Sequence, residues 1–124
     1  VKLYEFDRPE NPTDAFVKKH ISWVADQLGI KKLPKIVFLN QPKTTSFGTY
    51  VPDEGCIYLV TGSRHPVDVL RTLAHELTHY QQDQQGRLYA GAGETGTDEE
   101  NEANSQAGVI MRDFNQENPE YLKQ

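Results

Sequence analysis

Apolar residues recur along this chain in two periods, and the switches between them mark out its elements. The first ten residues set Val1, Leu3, Tyr4 and Phe6 among polar neighbours and close on Pro9-Glu10, a pattern for a short strand or an arm. From Asn11 the spacing turns helical, with Val17, Ile21, Val24 and Leu28 on one face and Phe16 and Trp23 flanking them. Asn11 is placed to cap this packing helix, Pro12 and Asp14 suit its first turn, and Gly29 supplies the stop. His20, between Phe16 and Trp23 on the flank, reads as a structural or surface histidine rather than a ligand.

The run Ile36-Val37-Phe38-Leu39 is short, continuous and rich in branched or aromatic residues, which predicts a strand covered on both faces. Residues 44–51 predict a second strand, Pro52 to Gly55 a turn, and Cys56 to Val60 its hairpin partner. Gly48 in mid-strand marks a bulge or a close backbone approach. After His65, at a helix-start position, a helix is expected from Pro66 to about Gln85, ending at Gly86. Residues 86–97 hold four glycines and no apolar period, the composition of a mobile loop. A last helix runs from Asp98 to about Asn115, and the tail is expected to fray or dock loosely. The reading is one α+β domain over residues 1–124.

Composition narrows the function classes. The chain is 36% hydrophobic and 25% charged, ordinary for a globular domain, while a mean hydropathy of -0.69 points to much polar loop. No stretch approaches the ~18 consecutive apolar residues of a membrane span, so no membrane partner is expected. A net charge of -5 with a pI near 5.3 argues against nucleic acid as a partner. The single cysteine, Cys56, excludes an internal disulfide and the thiolate zinc sites, and reads as a small buried strand residue. No signal-peptide pattern is seen, so a cytoplasmic monomer is the expectation.

Chemistry concentrates in the helix beginning at Pro66, where His75-Glu76-Leu77-Thr78-His79 has the form H-E-x-x-H. Residues four apart project from one helical face, so the two imidazoles can reach one metal ion. Asp68 and Thr72 fall on that side, whereas Leu70, Leu73 and Leu77 cluster opposite and suit the core. Glu76 lies about 60° around the helix from His79, beside such an ion and placed to act as a general base. Two imidazoles, one more protein ligand and a water make a tetrahedral catalytic site. Glu99, Glu100 and Glu102 are the downstream candidates for that ligand. Glu100 shares a stripe with Ala103, Ala107, Met111 and Phe114 and so faces inward, which ranks it first, ahead of Glu99 and then Glu102. Thr97-x-x-Glu100 also has the form of a capping box, a competing structural account.

HELTH followed after 20 residues by Glu100-x-x-Ala103-Asn104 resembles the gluzincin pattern of zinc metallopeptidases. The form ENEAN-x-x-A is similar to the compact ImmA/IrrE-type peptidases of phages, mobile elements and bacterial regulators. The resemblance covers residues from about 36 to 111 and implies one Zn2+ per chain held by His75, His79 and Glu100. It further implies Glu76 as the base and Asn104 as a partner orienting a zinc-bound histidine. The implied fold is a minimal zincin: a small twisted, mostly antiparallel sheet, an active-site helix, and a C-terminal helix carrying the third ligand. Gln106-Ala107 stands where the family has an aromatic before the alanine, and the chain has neither its Leu-Met-Pro segment nor a helix-turn-helix.

The expected function is zinc-dependent hydrolysis of a peptide or protein substrate. The alternative is a zinc-bearing interaction module, of a phage or a bacterial regulatory protein, without useful turnover. The resemblance places the substrate as a strand added to the sheet edge, with Phe47, Gly48, Thr49 and Tyr50 as the binding edge. Tyr89, or Tyr80, is the candidate to steady the oxyanion.

Overall fold

The computed structural model describes residues 3–43, 45–89, 91, 94 and 96–123. The expected contributions of Val1 to the first strand and of Thr44 to the second lie outside the described residues. Strand β1 (Tyr4–Phe6) leads into helix α1 (Pro12–Leu28), whose start is a full capping box between Asn11 and Asp14. Gly29, left-handed at φ 73°, closes α1 as its C-cap. Strand β2 (Lys35–Leu39), strand β3 (Gly48–Val51) and strand β4 (Cys56–Val60) follow, then helix α2 (Pro66–Gln84) and helix α3 (Asp98–Glu117).

The sheet order is β1-β2-β4-β3, and it corrects the expected antiparallel character. β1 pairs parallel with β2, β2 pairs parallel with β4, and only β3 with β4 is antiparallel. The physical reason lies in the connections. α1 carries the chain back across the sheet between β1 and β2, which makes them parallel. The β3–β4 hairpin forms as expected, but its second strand goes to the centre of the sheet. β4 is apolar throughout and buries Cys56, Ile57, Leu59 and Val60, while the shorter β3 begins on a glycine and takes the edge. β3 is also shorter than the pattern implied, because the Ser46 hydroxyl folds back on Gly48, donating to its carbonyl at 2.6 Å and accepting from its N–H at 3.3 Å.

Ile36, Phe38, Ile57, Leu59 and Tyr50 form the sheet's side of the core, against Leu70, Leu73 and Leu77 of α2 and the α1 stripe. β2 is not covered on both faces, since Val37 stays half-buried. Ala107, Ile110, Met111 and Phe114 pack α3 onto the far side of α2. The active-motif helix is thus held between the sheet and α3. The tail forms a short 3-10 turn, Pro119–Lys123, docked through Tyr121 against Phe16, His20 and Phe114. No described helix is long and apolar enough to cross a membrane.

Candidate metal and catalytic site

α2 starts where His65 accepts the Val67 N–H through Nδ1, with Pro66 at its first position, and it turns its leucines inward. That rotation leaves His75, Glu76 and His79 along the opposite side. α3 brings Glu100 to meet them: His75 Nε2 lies 3.1 Å and His79 Nε2 2.9 Å from Glu100 Oε1. The three ligand atoms all lie within 4.8 Å of one another. A tetrahedral ion with bonds of ~2.0–2.2 Å would space its ligands about 3.3–3.6 Å apart, a few tenths of an ångström beyond the two His–Glu separations.

The capping account of Glu100 is resolved in detail. Thr97 is the N-cap and its hydroxyl accepts from the Glu100 N–H at 3.1 Å. The Glu100 carboxylate does not return the bond, because the Thr97 N–H donates to the Glu94 carbonyl at 3.2 Å. Half of the capping box is present, and the carboxylate is released to the histidines.

Gln82, fully buried one turn beyond His79, is the functional side chain that the sequence reading missed. Its amide nitrogen donates to the Glu99 carbonyl and to Glu102 Oε1, each at 2.9 Å, so its oxygen is turned to His79 Nδ1 at 2.8 Å. Nδ1 therefore carries the proton of a neutral His79, and Nε2 presents a lone pair to Glu100 Oε1. Two lone pairs at that distance repel unless a proton or a cation lies between them. A cation shared by both imidazoles and the carboxylate satisfies all three at once, so this donor set fits a metal ion. The i, i+3 spacing of His79 and Gln82 on one helix was the signal available in the sequence. Asn104, expected in the orienting role, is exposed and lines a hollow beside His75 instead. Glu102 supports the site indirectly, bonded to Gln82 and paired with Arg87 at 3.0 Å.

Glu76 is only 8% exposed, and its Oε1 accepts the Tyr50 N–H at 3.0 Å. Burial pushes its carboxyl above the ordinary range, opposed by His75, His79 and the Tyr50 N–H. Gly48 is required by a close approach: a Cβ there would lie 2.5 Å from Thr72 Cγ2 and 3.2 Å from Glu76 Cγ. This settles Gly48 as a contact between edge strand and helix rather than a bulge. The Val60 N–H donates to the Phe47 carbonyl at 2.9 Å, so by ladder alternation Gly48 and Tyr50 turn their backbone groups toward the open edge.

A cavity of about 710 Å³ opens over this cluster, with Gly48, Thr49 and Tyr50 on one wall and Leu88 and Tyr89 on another. Phe47 stands half-exposed outside it, with the Arg64 guanidinium 4.5 Å above its ring. Tyr89 is 55% exposed, and Glu99 draws its hydroxyl and raises the phenol's pKa. Tyr80 is excluded as an oxyanion donor, since it is buried and its hydroxyl donates to the Lys32 carbonyl at 2.8 Å. Cys56 is buried in β4, as its composition suggested, and burial pushes its thiol up. Set against known proteins, the chain matches no family model, no curated protein and no solved structure.

Proposed function

We propose that this chain is a zinc-dependent peptidase holding one zinc ion on His75, His79 and Glu100. The observation that carries the reading is the convergence of these three ligand atoms beside Glu76, a buried carboxylate tied to the sheet edge. Three protein ligands facing an open cavity are the catalytic pattern, whereas closed structural sites use four. The resemblance of HELTH and the Glu100 to Asn104 run to gluzincins supports the same assignment.

Zinc, when bound, supplies Lewis acidity toward a water and a carbonyl oxygen. The protein's part is positioning and proton transfer. An extended peptide lies along β3, donating to the outward Tyr50 carbonyl and displacing the Ser46 hydroxyl from the Gly48 backbone groups, while the Tyr50 N–H stays with Glu76. Glu76 takes a proton from the attacking water, whose oxygen bonds to the scissile carbonyl carbon. The C–N bond then breaks, and Glu76 delivers the proton to the leaving amine. Gln82 keeps the His79 ring in its ligating tautomer throughout.

The test has two arms. Purified protein is expected to bind one equivalent of zinc by elemental analysis, lost on His75→Ala, His79→Ala or Glu100→Ala. Retention of zinc by all three variants overturns the site. Glu76→Gln is expected to keep the metal and lose cleavage of a peptide library, and unchanged proteolysis in that variant overturns the assigned base. Zinc binding in wild type without any cleavage would instead mark an interaction module.

A further inference from the structure

Charge changes sign across the histidines. On one side, the cavity of about 710 Å³ carries Asp53 and Asp83 on its walls, and no lysine or arginine among its described lining residues. Glu76 and Glu100 also line it, but both are committed, one as base and one as ligand. Asp53 and Asp83 are surplus. The Tyr50 hydroxyl donates to Asp83 Oδ2 at 2.5 Å, which fixes that carboxylate at the wall. Pro52, Leu88 and Tyr89 add apolar surface to the lining of the same cavity. On the other side of His75 and Glu76 lies a hollow of about 440 Å³, lined by Thr72, Asn104 and Arg71, and among its described lining residues the one charged side chain besides Glu76 is that arginine.

An anionic end backed by apolar surface suits a long side chain with an aliphatic stem and a cationic head. β3 runs from Gly48, shared by both hollows, toward Val51 and then Pro52-Asp53 at the anionic one. A peptide paired antiparallel to β3, the stronger pairing per residue, therefore sets its amino-terminal half beside Asp53 and Asp83. Resting on the peptidase reading, we propose that the cleft selects peptides bearing lysine or arginine on the amino-terminal side of the cleaved bond, with the cation held at Asp83 and Asp53.

The test uses the zinc-loaded full chain and separates this specificity from turnover. In the cleavage arm, mass spectrometry of a peptide library is expected to find lysine or arginine enriched within two residues before the cut. Asp53→Asn/Asp83→Asn, which keeps an acceptor for the Tyr50 hydroxyl, is expected to remove that enrichment. Cleavage with no basic preference, or a preference unchanged in the double variant, overturns the proposal and leaves the peptidase reading standing. In the binding arm, Glu76→Gln protein is titrated with fluorescent peptides differing only by lysine against glutamine. The lysine peptide is expected to bind about two- to fivefold tighter, the scale of one partly exposed ion pair, with the difference falling in salt. Equal binding of the two peptides overturns the proposal even where no cleavage is detected.

Discussion

Gln82 shows how much of the proposed metal site can rest on one neutral side chain. Both ends of its amide are committed, so the tautomer of His79 is set before any ion arrives. Gln82→Met, of similar volume, is expected to weaken zinc binding ~10–100-fold in a chelator competition while the ligands remain in place. Gly48 is the matching restraint on Glu76. Gly48→Ala puts a Cβ into Thr72, and it is expected to lower stability by about 1–3 kcal/mol in urea unfolding. It should also reduce peptide cleavage more than zinc affinity, since the displaced side chain is the proposed base and not one of the proposed ligands.

Among the elements, α1 is pinned at its start by Asp14, which is fully buried. The carboxylate accepts two bonds from Arg8, one from Thr61 Oγ1 and one from the Asn11 N–H. One residue thereby joins the stretch after β1, the cap of α1 and the residue after β4. Asp14→Ala strips Arg8 of its bidentate carboxylate partner, leaving it Thr61 and the more exposed Asp7, and breaks the cap; it is expected to cost about 2–4 kcal/mol, read as a fall in the thermal midpoint. In the middle of α1, His20 sits among Phe16, Phe114 and Tyr121 with its Nε2 unpartnered among the described residues. Burial first, then Lys19, lowers its pKa, and Glu120 opposes them. The unfolded chain therefore binds this proton below about pH 6.5 while the folded one resists it. The contribution is intact above that value and is lost as the pH falls from there toward the lowered folded pKa. Comparing unfolding at about pH 7.5 and 5.5, wild type is expected to lose more stability than His20→Phe.

For the molecule as a whole, the helices and the convergence of His75, His79 and Glu100 were readable because both depend on local spacing. The two-faced α2, the Asn11 cap and the inward phase of Glu100 follow from a 3.6-residue period, and the structure places each accordingly. Sheet order was not readable. Pairing across β2 and β4 joins residues separated by the whole 40–55 stretch, and no local pattern says that β4 enters the centre while β3 keeps the edge. Asn104 was misplaced for a related reason: a motif position does not tell which side chain reaches a ring, whereas Gln82 does so from the same helix. The charge polarity of the cleft was equally hidden, because Asp53, Asp83 and Arg71 come together only through the packing of β3 on α2.

The two halves of the proposed ligand set come from separate segments, α2 and α3, joined covalently only through residues 85–97 yet packed together along their lengths. Neither the Ala107, Met111 and Phe114 interface nor the His–Glu cluster requires that connection to be intact. A nick there would convert the protein into two pieces that reassemble. Occupancy of the metal site would then depend on the concentration of the pieces as well as on that of the ion. The site would thus serve as a reporter of whether α3 is seated.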